Sequence, residues 1–586
     1  MSRRQRGRPG APAAGRHVAV VAKRGRFRVA EPLFERAPRA GLRRGSVDAA
    51  PGEMVLAEFV PGGARAVRAL GSPERAADVA AALLWEGGLE RGFDHGTEDE
   101  ARDAAAAADR GGEAVRRDLT ALDTFTVDPA TARDFDDAVS AQPDGDGIRL
   151  WIHIADVAAH VRPGSRLEDE AFERGTSTYV PGTVEPMLPA ALSAEACSLA
   201  PGVERLAVTM EVRLSATGEP QAASFYRSRI RSDERLDYDQ LDRVFAGSEP
   251  APDAVAEPLA HARAAAAALA GRRPVASLEI ESFEPEFEFD SEGAVVAARG
   301  VQQTEAHKLI EHLMILANEQ VAQLLERRGT PTLYRVHEQP DPPRVALLFE
   351  QLAALGLPTP PLPEQFSAQQ AGELVGEASR LVAREAARRG HGRAAYTSLV
   401  LRSLKQAYYS PSNIGHAGLG SPAYAHFTSP IRRYPDLIAH RALLATLGAG
   451  EDEPDRGHVG EAGWRSSESE RESIGIERRA DRACLAFLLE RELFDAGWDS
   501  RFDGEVSGLV GGGAFVRFGG ELADVYEGFL PARLLRRDRY ELDETETSLV
   551  GQREGKVIRL GDSVEVRATG IEAPRGRVDL APVGGR

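Results

Sequence analysis

The chain of 586 residues carries 72 basic and 90 acidic side chains, a formal net charge of −18, with 42% hydrophobic and 28% charged residues. That is ordinary globular usage, so disorder is excluded for most of the length, which allows about three to five domains. No run approaches about 18 consecutive apolar residues, excluding a membrane-spanning helix, and two cysteines, Cys197 and Cys484, exclude a bridge framework or a four-thiolate zinc site.

Residues 1–16 are basic and rich in Pro and Gly, with no apolar segment behind them, and read as a disordered tail, not a secretory signal. Over 17–71, the apolar runs His17–Val21, Arg26–Val29, Met54–Phe59 and Arg65–Leu70 predict a small antiparallel barrel. Residues 72–118 turn to Ala, Glu and Arg at helical spacing and predict a helical connector. The stretch 119–445 is mixed, with strands at Arg149–Ala155 and Ala207–Leu214. Ser277–Phe289 alternates acid and apolar residues, which predicts a strand with one solvated acidic face. Thr304–Arg328 reads as a helix capped by Thr304 and stopped by Gly329, followed by helices at Gln369–Arg389 and Ala395–Tyr408. In 446–497 a solvated acidic loop, Glu451–Asp455, precedes an Arg/Glu-rich helix to about Asp495. Short strands at Phe502–Ser507, Ala514–Phe518, Gly528–Leu530 and Ser563–Ala568 predict a five-stranded barrel over 498–583 of the kind that binds single strands. The fold class expected is α+β and multidomain: a central mixed α/β domain flanked by two small all-β barrels.

The acidic total argues against a nucleic-acid partner until the charges are sorted. Between Arg380 and Arg441 ten basic residues face only Glu385 and Asp436, a local +8, whereas Glu279–Glu292 holds seven acids and no base. The acidity is also concentrated in Thr126–Ala138, where Asp128, Asp134, Asp136 and Asp137 fall within ten residues. Pro129 keeps them off one helix, so a turn has to gather them. Clustered carboxylates are costly to ionise without a cation, and hard oxygen donors at this density suit Mg²⁺. Two ions about 3.5–4 Å apart suit phosphoryl transfer. A solvated acidic loop remains the alternative for this motif alone. The second constellation, His426–Arg441, sets Arg432 and Arg433 beside His426, Thr428, Ser429, Tyr434 and His440. Guanidinium groups of this kind hold phosphate, although Arg433 with Asp436 also reads as a helix ion pair and His440 as a structural histidine.

These motifs form part of an ordered series. It continues with His153–Val157, Thr178 to Pro181, Pro186–Pro189, Leu192–Leu199, Tyr238 to Gln240, Ala306–Glu311, Tyr334–Glu338 and Tyr408–His416. With that series the sequence resembles the ribonuclease II/ribonuclease R family of RNB-domain 3′→5′ exoribonucleases, and its C-terminal stretch is similar to the ribonuclease R branch. The resemblance implies a catalytic RNB domain over 119–445, a cold-shock-like barrel before it and an S1-like barrel after it. It also implies single-stranded RNA threaded 3′ end first and hydrolysed processively to 5′-mononucleotides. By matching position, Asp128, Asp134, Asp136 and Asp137 are the Mg²⁺ ligands, with Mn²⁺ a substitute. Asp134 and Asp136 are catalytic, and Asp136 is the position least spared. Arg432 contacts the scissile phosphate with Arg433 beside it, Tyr179 stacks on the terminal base, and Tyr238 and Glu311 line the channel. The other half of the aromatic clamp is Phe287 or Phe289. Phe515 and Phe518 are the expected RNA-facing aromatics of the last barrel, where Gly512 and Pro531 depart from the family pattern. The implied protein is a cytoplasmic monomer whose partner is RNA. An association with the ribosome or the decay machinery leaves no mark in the residues. The competing expectations are an RNB-fold regulatory protein that binds RNA and has lost catalysis, or an endonuclease or phosphatase using the same carboxylates.

Overall fold

The computed structural model describes residues 15–35, 37–89, 91–109, 115–272, 284–519, 525–535 and 538–583. Of the expected basic tail, residues 1–14 lie outside the described residues, while Gly15 and Arg16 already belong to the first strand, Gly15–Arg24. That strand is central in a five-stranded sheet with Phe27–Pro32, Ala40–Gly41, Met54–Val60 and Gly63–Gly71, and a parallel bridge from Leu42 to Ala64 joins the two edges. Alternation along the strands gives each face a separate task. Ala19, Val21, Val55, Ala57 and Phe59 fill the sheet's own core, whereas Val18 and Met54 point the other way and meet Val79 and Ala82 of a helix, Ala76–Glu86.

The stretch expected as a connector is therefore packed structure. The opposite side of the helix Ala76–Glu86 buries Ala80, Leu83 and Leu84 against Val180, Ile476 and Ala480. A second helix, His95–Asp109, follows it.

The middle of the chain is built on a seven-stranded sheet. Its order is Glu234–Asp237, Phe125–Asp128, Asp137–Asp144, Gly147–Ala155, Glu204–Leu214, Ser224–Arg231 and Arg117–Asp118, antiparallel except at the two edges. The core beneath it is large and apolar, including Phe125, Ile152, Met210, Leu313 and Leu437. A polar chain starts at Thr124, just before the strand Phe125–Asp128, and crosses the next four strands within it. Thr124 Oγ1 lies 2.7 Å from Ser140 Oγ, Ser140 3.1 Å from His153 Nε2, His153 Nδ1 2.9 Å from Thr209 Oγ1, and Thr209 2.6 Å from Ser228 Oγ. Both ring nitrogens of His153 are thus satisfied, and burial pushes its pKa down to about 3.

Three expectations need correction. The helix expected over Ala395–Tyr408 runs Arg393–Ser403, and Tyr408–Ser410 instead forms a strand paired with Tyr334–Val336. Tertiary pairing overrides helix propensity there, since Glu338 takes both the Lys405 ammonium at 2.7 Å and the Tyr408 hydroxyl at 3.0 Å. Thr304 stands at the N-cap of Glu305–Arg328, but its hydroxyl pairs with His307 Nδ1 at 2.8 Å instead of capping a backbone amide. The acidic loop at Glu451–Asp455 is not simply solvated, because Glu451 accepts from Arg227 at 2.7 Å and Asp455 caps the next helix through His458 N. Residues 277–283 of the predicted acidic strand lie outside the described residues. The remainder, Glu284–Phe289, pairs with Val295–Val301 and keeps Glu286 and Glu288 outward, with Phe287 and Phe289 half-buried.

The 41-residue helix Arg456–Ala496 runs along the molecule and packs against the hairpin at 178–185, the helix Ala76–Glu86 and the last barrel. That barrel is closed by five strands, Phe502–Val510, Gly513–Phe518, Tyr526–Pro531, Arg577–Pro582 and Ser563–Glu572. Gly513 has φ 155°, and a Cβ there would meet the Leu530 carbonyl oxygen at 2.2 Å, so the turn requires glycine. Among the described residues, no helix is long and apolar enough to cross a membrane.

Candidate active site

Asp128 ends one strand of the central sheet and Asp137 begins the next, so the turn between them carries Asp134 and Asp136. All four aspartates come to one end of the sheet. They face the loop Ser429–Arg433, which precedes the helix Tyr434–Thr446. The Ile431 amide donates to Asp136 Oδ1 at 2.9 Å, and Arg432 Nε lies 3.5 Å from Asp136 Oδ2. The loop is held from below. Ser429 N donates to Asp436 at 2.8 Å, and the helix Glu305–Arg328 anchors the approach through Asn318, whose Oδ1 accepts from Phe427 N at 2.8 Å.

The same loop fixes the aromatic strand. Ser177 N donates to the Arg432 carbonyl at 2.9 Å and Tyr434 N to the Gly175 carbonyl at 3.0 Å, which ties the turn before Thr178–Val180 to the arginine. Gly175 (φ 68°) lies so close to the long helix that a Cβ would sit 2.8 Å from Ser469, so only glycine fits. Tyr179 is 40% exposed, yet its hydroxyl donates to Asp134 Oδ2 at 2.7 Å and its amide to Glu477 at 2.9 Å. The ring thus presents a face to solvent from a fixed position, with the hydroxyl end tucked among the aspartates.

Burial pushes the Asp128 carboxyl up to about 8, with the charge of Asp137 adding to it, and lifts Asp137 to about 6. Burial holds Asp136 well above the carboxylate range, against the pull of Arg432 and the Ile431 amide. Two oxygens, Asp128 Oδ2 and Asp136 Oδ2, are buried without a hydrogen-bond partner. Four carboxylates served mainly by one arginine are short of positive charge, and unpartnered hard oxygens beside them fit a divalent cation. They are not drawn tightly together. Among the described residues, the one group of such side chains whose ligand atoms all lie within 4.8 Å of one another is His17, Glu35 and Glu86, at the N-terminal barrel.

Other expected residues fall around this centre. Tyr238 begins a helix directly after Asp237, the register partner of Asp128, and stacks on His307 at 4.0 Å and 8°. Thr304, His307 and Tyr238 therefore form one fixed stack, a role for His307 that its motif does not announce. Glu311 is half-buried one turn beyond His307 on the same helix face. Phe289 packs at the Gly182 turn of the Tyr179 hairpin, where a glycine Cβ would meet its ring at 3.5 Å as the nearest group.

Two residues, Arg433 and Phe518, are placed differently from the RNA-facing role expected of them. Arg433 is engaged by Asp436 through two bonds of 2.9 and 2.7 Å, so its guanidinium braces the loop. His440 is structural, as its sequence reading expects: it is buried, its Nε2–H donates to the Phe427 carbonyl oxygen at 2.8 Å, and its ring stacks on Phe427. Phe518 is fully buried between Phe502 and Tyr526 inside the last barrel, and no base reaches it without opening the barrel. Phe515, at 37% exposure and paired with half-buried Phe529 at 5.4 Å, is the aromatic left on that surface. Part of the local +8 between Arg380 and Arg441 is answered by acids from elsewhere: Lys405 by Glu338 and Asp341, Arg441 by Glu168, and Arg432 by Asp136.

The profile of the RNB domain matches residues 116–449, more than half of the chain, and that of the S1 RNA binding domain matches residues 498–581. The chain belongs to the RNB family. It is 37% identical to ribonuclease R of Aquifex aeolicus (strain VF5) over 79% of its length and 36% identical to ribonuclease R of Escherichia coli (strain K12) over 80%. The chain spans only 64% and 57% of the length of those two relatives. A solved structure of Mycoplasma genitalium RNase R in complex with ribose methylated single-stranded RNA shares its fold, with a TM-score of 0.85 at 24% identity, covering 97% of this chain and 90% of that one.

Proposed function

We propose that the chain is a processive 3′→5′ exoribonuclease that hydrolyses single-stranded RNA to 5′-mononucleotides, acting as a cytoplasmic monomer. The reading rests on one observation above all: buried, unpartnered oxygens of Asp128 and Asp136 beside the Arg432 guanidinium, 3.5 Å from Asp136. The names of the RNB relatives add support. Asp128, Asp134, Asp136 and Asp137 would hold two Mg²⁺ ions, with Mn²⁺ a substitute, and bound ions supply Lewis acidity and cancel the repulsion among the carboxylates.

The side chains divide the remaining work. Arg432 pairs with the scissile phosphate and offsets the negative charge that grows on it as water adds and the 3′-oxygen leaves. The Tyr179 ring offers a π-face to the last base, a contact every base can make, and its bond to Asp134 fixes the distance between base and carboxylates. Tyr238, held flat against His307, and Glu311 border the path of the strand, where a 2′-hydroxyl contact favours RNA. The cold-shock-like barrel at 17–71 and the S1-like barrel at 498–583, through Phe515, guide single strands.

Asp136→Asn should lower cleavage by at least about 10²–10³-fold while leaving RNA binding largely intact. End-labelled single-stranded RNA resolved on a gel, with Mg²⁺ and then with EDTA, reads this out. Retained cleavage in the variant sinks the assignment. A wild-type protein that binds RNA but shortens nothing makes the chain a regulatory binder, and internal cuts or free phosphate make it another hydrolase.

A further inference from the structure

A cavity of about 730 Å³ opens where the N-terminal barrel, the helix Ala76–Glu86 and the hairpin that carries Tyr179 meet. Its size falls in the range of small-molecule sites, roughly 300–1,000 Å³. None of the four aspartates lines it, nor does Arg432. Two aromatic side chains, Trp85 and Phe93, stand in its wall. The Arg174 guanidinium covers the Phe93 ring at 4.0 Å and is itself bound by Glu185 at 2.6 Å.

Most charges around the cavity are already answered by the protein. Arg91 donates to Thr183 Oγ1 at 2.9 Å and lies 3.5 Å from Glu185, Arg75 donates to the Glu292 carbonyl at 2.8 Å, and Asp78 accepts from Ser72 N at 2.9 Å. Arg68 differs. It is exposed, its guanidinium rests over the Trp85 indole at 4.5 Å, and no carboxylate among the described residues pairs with it. A guanidinium held by an indole face and by no carboxylate can swing from the ring to an anion, which leaves the flat face to an aromatic base.

We propose that this cavity binds a nucleotide unit, an aromatic base carrying a phosphate, with the base on Trp85 and the phosphate on Arg68. The unit can come from a released 5′-mononucleotide or from a passing RNA strand. Val184 lines the cavity and pairs across the hairpin with Tyr179, so an occupant touches the strand beside the aromatic of the active site. The site stands on its own geometry and does not require the chain to be a nuclease.

Tryptophan emission of the full chain, titrated with AMP, adenosine and inorganic phosphate, tests it. AMP should change the emission, with adenosine and phosphate each at least tenfold weaker. Trp85→Phe should abolish the change while a second probe, isothermal calorimetry, still registers AMP. Arg68→Ala should weaken AMP at least tenfold and Arg68→Lys less, whereas Tyr179→Ala should leave the Trp85 signal in place. A tetranucleotide RNA presented to the Asp136→Asn chain separates the sources. At least tenfold tighter binding than AMP, lost with Arg68→Ala, assigns the strand, and equal affinity assigns the mononucleotide. No response to millimolar AMP, or a response indifferent to both Trp85→Phe and Arg68→Ala, overturns the proposal. Loss of cleavage with this site intact, or the reverse, keeps it distinct from the exonuclease reading.

Discussion

Two sets of buried carboxylates sit in the same domain and are treated in opposite ways. Asp156 is buried at the end of the strand Gly147–Ala155, where burial alone would raise its carboxyl. Arg227 at 3.0 Å and Arg116 at 2.8 Å outweigh burial and hold it below the usual range. Glu168 follows the same pattern: burial opposes its charge, but Arg441, the Gly164 amide and the Tyr434 hydroxyl bring it down. Asp128, Asp136 and Asp137 go the other way, up to about 8, well above the range, and to about 6. The acid type and the degree of burial are similar; the supply of guanidinium groups is not. The fold brings arginines into contact with its structural acids from 40, 71 and 273 positions away, and leaves the Thr126–Ala138 cluster with one such contact, Arg432 at 3.5 Å from Asp136, while Arg235 and Arg433 act on it only from a distance. A shortfall kept at one place, in a chain able to correct it elsewhere, marks where a cation from outside is expected.

The sharpest way to break this comparison is to neutralise a paired acid. Asp156→Asn leaves Arg116 buried without its counter-charge and Arg227 with Glu451 alone, and should cost about 3–5 kcal/mol of stability. Urea denaturation followed by circular dichroism measures it. A loss under about 1 kcal/mol would mean that Asp156 behaves as a surface ion pair and that the contrast with the site is not one of supply.

The two sets were unequally legible in the residues. The cluster of four aspartates is visible because they lie within ten positions, and the helices, barrel strands and Tyr179 follow from local pattern or family motif. The partners of Asp156 are not, since Arg116 and Arg227 reach it across the sheet from 40 and 71 positions away, and nothing in the sequence singles them out. The same limit explains the charge argument. Ten cations against two acids between Arg380 and Arg441 looked like a basic lining, but Glu168 and Glu338 come from other elements to take Arg441 and Lys405. Phe518 failed for a different reason. Strand alternation says that Phe515 and Phe518 face opposite sides, and only the closed barrel decides which side is inside. Glu477, which holds the Tyr179 amide from 298 positions away on the long helix, left no signal.

A milder test uses pH, because the paired acids and the buried histidines respond in different windows. Asp156 and Glu168 have folded values below their ordinary ones, so their contribution is complete above about pH 4–4.5 and is lost only in stronger acid. His153 stays neutral in the fold down to about pH 3, whereas an unfolded chain protonates its histidine below about 6.5. The unfolded state binds more protons between those limits, so stability falls as pH drops through them, by about 1.4 kcal/mol per unit for this one group. His416, also near 3, acts in the same direction. The raised carboxyls of Asp128, Asp136 and Asp137 act the other way in the same window, so the test is differential: across urea midpoints at pH 7.5, 6 and 5, His153→Gln should remove about one proton's worth of acid destabilisation from the wild-type slope. An unchanged slope in that variant would remove His153 as a buried neutral group.

The smallest expected effect is the most pointed, because its sign reverses between the two sets. Asp128 has an oxygen with no partner and is buried beside another aspartate, so without metal its charge is a burden on the fold. Asp128→Asn keeps the shape and removes that charge, and should raise the stability of the EDTA-treated protein by about 1–2 kcal/mol, where Asp156→Asn lowers it. Ligand binding to the folded state alone stabilises by mass action, so Mg²⁺ should raise the melting temperature of the wild type and do less for the variant. The gain from Asp128→Asn should then shrink or reverse as Mg²⁺ is added. A variant that is destabilised in EDTA and responds fully to Mg²⁺ would show that Asp128 is satisfied by the protein itself, and the difference between the two groups of carboxylates would no longer locate a metal. A gain that disappears on adding Mg²⁺ ties the raised carboxyls, the orphaned oxygens and the single arginine to one cause, a site folded around charge that it does not itself provide.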